Sequence, residues 1–374
     1  MIYKVRKEID PNHLNLRWLI ENPHPGTTQF VEERLEEIRM EDIYRMLKYP
    51  NFIHLIMTRL RILNSPYLSK NSEAIHLLMK NPELIDWYML SANPSSKALE
   101  IIEENIINEQ NQINTATTVF QKLQIQCERV YSEYPAFWRL LATNTNPKAI
   151  EIIEKYYSKL TPFCIDSECI DFWCDLSRNS NAVHLLEKYP RYIDWRSILK
   201  NPKAVHLIEQ NLDKIDEDDW PLLSGNPGAV HIFENPEYLD KIDDWSYLSQ
   251  NPEPKAIQIL EKNLDKVVWE SFSKNPSAIS ILLQILKEEK EVKKKRENNE
   301  SVNKQDYKYY DYFDKIDFSR LSLNPAIFEL DTQGLKERCD VYRKELIEKA
   351  MHPHRMIALL DQEGIDLEDL EDYF

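Results

Sequence analysis

Apolar residues recur along most of the chain in short clusters on either side of an Asn-Pro pair. In Trp195-Arg196-Ser197-Ile198-Leu199-Lys200-Asn201-Pro202-Lys203-Ala204-Val205-His206-Leu207-Ile208-Glu209, the residues Ala204, Val205, Leu207 and Ile208 fall on one stripe at helical spacing. Asn is a favoured helix N-cap. Pro suits the first helical position because its missing N–H would have no partner there. Asn-Pro therefore predicts a helix start. Upstream, Trp195 and Ile198 mark one face of a shorter helix, and Asp194, Asp219 and Asp244 precede tryptophan as candidate N-caps. Each unit thus reads as a short helix, a tight corner and a second helix of about ten residues.

The unit repeats. Trp220 precedes Asn226-Pro227, Trp245 precedes Asn251-Pro252 and Trp269 precedes Asn275-Pro276; with Asn201 these asparagines lie 24 or 25 residues apart. Earlier copies centre on Asn71, Asn93, Asn146 and Asn179, and a late one on Asn324, giving nine units. Trp87 and Trp173 keep the same six-residue lead, Phe318 fills that slot before Asn324, and Trp138 stands eight residues before Asn146. One such helix pair cannot bury its apolar face alone, but stacked neighbours share a continuous core. The expected fold is all-α, an α-solenoid of two-helix repeats of about 24 residues with helical caps, its indoles and alanines forming one seam. Layers roughly 8–10 Å apart would give an open stack on the order of 80 Å long.

Three segments follow. Residues 1–66 carry weaker echoes, such as Trp18-Leu19-Ile20-Glu21-Asn22-Pro23 and Tyr49-Pro50-Asn51-Phe52, and are expected to cap the N-terminal end. Residues 67–330 form the repeat body, with insertions at 105–135 and 287–310. The first insertion holds a Val119-Phe120, Leu123, Cys127, Val130-Tyr131 spacing that predicts an extra amphipathic helix. The second starts as a helix after Ile281-Leu282-Leu283 and turns charged, predicting a protruding or disordered loop; its Lys293-Lys294-Lys295-Arg296 cluster reads as a solvated helix face. Residues 331–374 form a C-terminal helical cap with an acidic tail; Asp361–Phe374 holds seven carboxylates and no Lys or Arg.

Composition narrows the function classes. The 374 residues include only 5 glycines, which argues against phosphate-cradling glycine loops. The net charge of -16 opposes phosphate contact, so a nucleic-acid partner is disfavoured. The sequence contains no membrane-length apolar run, and Met1–Glu8 lacks the apolar core of a secretory signal. Five cysteines without regular pairing suit a reducing compartment.

Candidate chemistry is sparse. His76, His184, His206 and His231 take one column of the repeat, which Gln258 occupies in a later unit. Residues one layer apart cannot converge on a metal ion, so His184, His206, His231 and Gln258 are read as a polar surface available to a protein partner. Cys164, Cys169 and Cys174 lack the second cysteine pair of a structural zinc site and read as free thiols. Hydrolase, zincin, Walker and dinucleotide motifs are absent from the sequence. The reading is therefore non-enzymatic, with no catalytic residue, cofactor or metal.

The recurring Ile-Asp-x-Trp-x-x-Leu-Ser-x-Asn-Pro-x-Ala pattern stands as Ile85-Asp86-Trp87, Leu90-Ser91 and Asn93-Pro94, and again from Ile193 and from Ile242. With the box Glu345-Leu346-Ile347 and His352-Pro353-His354-Arg355-Met356, it resembles the Asn-Pro helical-repeat proteins of large DNA viruses. The resemblance covers roughly residues 67–360 less the insertions. It implies a viral protein-interaction scaffold, a structural or assembly component of the virion, with an intracellular adaptor for host proteins as the alternative. Its expected partners are viral or host proteins, without membrane insertion, in host cytoplasm or the virion.

Overall fold

The structure, a computed structural model, describes residues 3–57, 65–115, 134–164, 170–350 and 355. Within these residues the chain is mostly helical and all-α in class, with a single two-stranded sheet. It divides into two compact units, neither of which ends at the 66/67 or 330/331 boundary. One comprises Met1–Arg6 with Phe328–Phe374, the other Lys7–Ile327.

The first unit pairs strand Tyr3–Val5 antiparallel with Phe328–Leu330, in register Tyr3 to Leu330. Lys4 reaches Asp331 at 3.2 Å and Arg6 reaches Glu329 at 3.3 Å across the pair. Helix Thr332–Ala350 follows, with Val341, Tyr342 and Leu346 exposed. The sequence pattern predicts no strand here, because three-residue strands carry no usable periodicity.

The larger unit is built from the Asn-Pro repeats. Three residues before the asparagine, Ile198, Leu223, Leu248, Phe272 and Leu321 have 0% exposure, as do Ala204, Ala229, Ala256 and Ala278 after it. These two slots form the seam. Of the indoles, Trp138, Trp173, Trp220 and Trp245 are buried, Trp195 and Trp269 half-buried, and Trp87 is 38% exposed. Aromatic and cationic side chains cover several of them. Tyr192 stacks on Trp173 at 4.7 Å and Tyr238 on Trp220 at 5.2 Å; Lys214, Lys241 and Lys266 lie 4.3–4.8 Å over Trp195, Trp220 and Trp245. Most indoles thus join the alanines in the buried core as expected, with leucine, isoleucine or phenylalanine in a third slot; Trp87 is the exception.

The asparagine does more than start a helix. Asn226 Oδ1 accepts from the Gly228 N–H at 2.9 Å, the expected cap. Its buried Nδ2 donates backward to two carbonyls of the preceding unit, Leu199 O at 2.8 Å and Asn201 O at 3.1 Å. The first belongs to Leu199, which ends helix Trp195–Ile198; the second, on Asn201, also accepts the Ala204 N–H at 3.2 Å. One amide thus starts its own helix and terminates its neighbour's. Asn93, Asn201, Asn275 and Asn324 each repeat both roles. A second rung joins the same neighbours: Ser69, Ser177, Ser249 and Ser273 Oγ accept the backbone N–H of Asp86, Asp194, Val268 and Asp317 at 2.9–3.1 Å.

The ladder closes on itself. Asn22 Nδ2 donates to Ser322 O at 2.9 Å and Asn324 O at 3.0 Å, and Asn15 N–H to Ser322 Oγ at 2.8 Å. The first Asn-Pro unit therefore sits on the last one by both rungs of the ordinary joint. The segment around Asn22 follows Asn324 in the ladder. At the next joint Tyr49 stands in the asparagine slot. Asn51 Nδ2 to Thr27 Oγ1 and Thr28 Oγ1 to Asn51 O, each 3.0 Å, replace the missing rung before Asn71 resumes on Leu47 O and Tyr49 O. The circuit includes eleven units rather than nine, the two additions being the degenerate echoes at Asn22 and Tyr49.

Four expectations change in detail. Asn144, not Asn146, holds the ladder place, donating to Ser91 O and Asn93 O; this restores the six-residue lead of Trp138, while Asn146 caps Lys148. Asp194 caps as expected, accepting from Ser197 N–H at 2.7 Å, and Asp244 accepts from Ser246 N–H. Asp219 does not cap its helix; it is buried beside Arg196 at 3.4 Å, and Pro221 removes one N–H that a cap would serve. Segment 287–310 does not protrude: helix Ile279–Glu297 buries Val292, and Tyr307 and Tyr309 are buried behind it, with Glu288 accepting the Tyr309 N–H at 3.0 Å. Val119 to Tyr131, His352 to His354 and the tail from Asp361 lie outside the described residues.

Second helices range from Val205–Glu209 to Ile279–Glu297, and a third short turn precedes the next tryptophan. Leu212–Lys214 and Leu264–Lys266 are such turns. The repeated Asn-Leu-Asp-Lys that makes them is a signal present in the sequence, and its lysine is the one that lies over the preceding indole.

Two variants test the ladder. Asn226→Ala strips the Leu199 carbonyl of its partner, weakens the bonding of Asn201 O and removes the cap on Gly228, and is expected to cost about 2–5 kcal/mol by urea unfolding. Asn303→Ala, which removes an exposed cap, should cost no more than about 1 kcal/mol. A Cβ on Gly228 would lie 2.5 Å from Pro202 O and 2.9 Å from Val205 Cγ2. Gly228→Ala should therefore destabilise by about 1–3 kcal/mol through overpacking, seen as a lower unfolding midpoint.

Candidate interaction surface

Five second helices carry a glutamate against which the next unit places a base. Glu154 meets His184 Nε2 at 3.5 Å, Glu187 meets His206 at 2.9 Å and Glu209 meets His231 at 2.7 Å. One unit on, Glu234 pairs with Lys255 at 2.8 Å, and Glu261 pairs with Lys308. Every histidine in the stripe is exposed, and each contact crosses from one unit to the next.

The four residues singled out from the sequence therefore divide. His184, His206 and His231 each make the equivalent contact to a glutamate of the preceding unit. Gln258 is exposed in the same column, but the contact to the preceding unit is made by Lys255, three residues earlier. Sequence reasoning names the histidines and misses their glutamate partners. The signal is there: Glu187, Glu209 and Glu234 each stand eight residues after the ladder asparagine of their unit.

Charge pairing sets the local electrostatics. The Lys255 hydrogen bond holds the Glu234 carboxyl below its ordinary range and raises the Lys255 ammonium. The hydrogen bond from Lys308 does the same to Glu261, helped by the Tyr309 hydroxyl at 3.1 Å, and raises Lys308 strongly. Burial pushes the Tyr309 hydroxyl up. These contacts tie segment 307–309 to helix Pro254–Lys262.

Among the described residues, no group of three or more His, Cys, Asp or Glu side chains is placed to hold a metal ion. Cys174 is a half-buried free thiol whose pKa is raised first by burial and then by Asp194; Cys339 is free and exposed. Cys169 and the side chain of Cys164 lie outside the described residues. A small pocket lined by Ile153, Trp173, Leu176 and Leu185 has Glu154 and Lys188 at its edge, already paired with each other at 3.5 Å. Among the described residues, no helix is long and apolar enough to cross a membrane.

The Glu261 pair gives a pH test with a defined sign. A carboxyl whose folded pKa is depressed adds stability above its unfolded value, about 4.3, and loses it as pH falls through the lower folded value. Lys308→Met should therefore lower the urea midpoint at pH 7, and the difference from the parent chain should shrink steadily below about pH 4.3. A difference independent of pH between about 7 and 3 would assign the effect to packing of the lysine stem instead.

No family model, curated protein or solved structure matches the chain.

Proposed function

We propose that the protein is a non-enzymatic interaction scaffold, a helical-repeat solenoid whose last unit meets its first, and that it binds other proteins through its charged outer stripe. One observation carries this reading: the buried ladder asparagines, with Ser69, Ser177, Ser249 and Ser273, are engaged in joining units. What remains available is an exposed, periodic array of acids and bases, suited to an extended partner read at several points. The array includes His184, His206, His231 and Gln258.

The resemblance of the Asn-Pro units to repeat proteins of large DNA viruses supports assigning the scaffold to virion structure or assembly, in the host cytoplasm or the particle. The alternative is an adaptor that engages host proteins inside the infected cell. The net charge of -16 favours protein over nucleic-acid partners in either case.

Two measurements separate these readings. Mass spectrometry should find the chain in purified particles at structural stoichiometry; recovery only from the infected-cell lysate would favour the adaptor. Replacing His184, His206, His231 and Gln258 together by alanine should weaken partner capture at least about tenfold while leaving the unfolding midpoint nearly unchanged, since exposed pairs of this kind contribute only about 0–1 kcal/mol each. Unaltered capture by the quadruple variant would remove the stripe as the binding surface.

A further inference from the structure

Ten of the eleven joints in the circuit connect units that are consecutive along the chain; the joint between the Asn324 unit and the Asn22 unit does not. It is held by non-covalent contacts alone: the Asn22 and Asn15 hydrogen bonds to Ser322 and Asn324, His13 edge-on to Phe318 at 4.9 Å, and Arg320 over Trp18 at 4.7 Å. Strand Tyr3–Val5 precedes this unit in the chain and pairs with Phe328–Leu330, which follows the last one. The strand pair belongs to the smaller unit, and the Asn22 joint lies within the larger.

On its other side the first unit is held less well. The asparagine slot of the second unit is Tyr49, so the two-carbonyl amide rung is missing there. Asn51 and Thr28 supply one hydrogen bond each, and the ion pairs Arg45–Glu21 and Arg17–Asp42 are long, at 3.5 and 3.8 Å. The connection from helix Gly26–Glu32 to helix Met40–Met46 runs through residues 33–39, which contain only the short turn Leu35–Glu37.

We propose that the first Asn-Pro unit, residues 3–32, exchanges between two copies of this chain. The first unit of each copy closes the circuit of the other, and residues 33–39 act as the hinge. The surface it occupies is the edge formed by Ser322 O, Asn324 O and Ser322 Oγ. The occupant is fixed by complementarity. That edge offers two carbonyl acceptors and one hydroxyl acceptor at the spacing met by one asparagine amide and one backbone N–H, and the first unit of a second copy presents both. Reciprocal exchange re-forms every contact except those of the hinge. Its balance is then set by concentration rather than by new interactions.

The test uses two full-length chains, Asn15→Cys and Ser322→Cys, one of them isotopically heavy. They are mixed at increasing concentration, briefly exposed to mild denaturant, returned to native buffer and oxidised. Peptide mapping should find disulfides that join position 15 of one chain to position 322 of the other, heavy to light. These links should rise with protein concentration, in a species of twice the monomer mass by native mass spectrometry. The doubly substituted chain should form the same link within one molecule when dilute. Should that chain fail to fold, Trp18→Cys with Arg320→Cys reads the same joint. An intrachain link in the dilute double variant, with no heavy–light link in the concentrated mixture, would overturn the exchange. A folded double variant that forms no link at all would overturn the joint itself, and products at three or more times the monomer mass would overturn reciprocity.

Discussion

One carboxamide geometry underlies the larger unit. A short helix of four or five residues has nearly all its backbone groups at an end, so burying it strands carbonyls that no turn of its own can satisfy. Asparagine answers both ends: its oxygen accepts the N–H two residues on, and its NH₂ offers two donors to the preceding unit. Aspartate lacks the donors and serine offers only one. The ladder asparagines that make this contact are buried, Asn22 and Asn226 at 0% and 1% exposure, so each bond forms in a setting where leaving it unmade is costly. Leucine and alanine fill the seam between units, but the amides fix the distance and direction at which those side chains meet.

The surface follows the same neighbour-to-neighbour rule. Lysines from the third turn of a unit lie over the indole of that unit's first helix, and glutamates that close one second helix face the histidine or lysine of the next. Charged side chains therefore cover the seam's margin and also help to set how its units register. Tyrosine and lysine lids complete the burial of the indoles: Tyr192 covers Trp173, and Tyr238 and Lys241 cover Trp220.

Much of the unit is legible in the sequence because its determinants are local. Asn201-Pro202 marks a helix start by capping chemistry, Asp194 caps the tryptophan helix, and Leu and Ala slots fall at helical spacing. The His184, His206 and His231 column is legible for the same reason, as a fixed offset within a repeat. What is not legible lies between units or at their irregular edges. The proline that follows Asn146 marks it as the ladder residue, yet the ladder amide is Asn144, and only the carbonyls of Ser91 and Asn93 identify it. Asp219 fails as a cap because it closes the short turn Glu217–Asp219 with helical backbone, where Asp194 is extended, and the hydrophobic side of the charged 287–310 segment emerges only where Val292 and Tyr309 meet the body.

Sequence alone determined the helical class, the unit, its two buried slots and the line of exposed histidines, since each depends on residues within a few positions of one another. Tertiary structure decided that there are eleven units, that Asn22 bonds to Ser322 and Asn324, and that Tyr49 leaves one joint short of its amide rung. The reason is cumulative: a small rotation from each unit to the next is invisible in any one repeat, and only its sum determines whether the last edge arrives at the first. Partners some three hundred residues apart are then joined by the rule that governs adjacent units, although nothing near either one in the chain records the other.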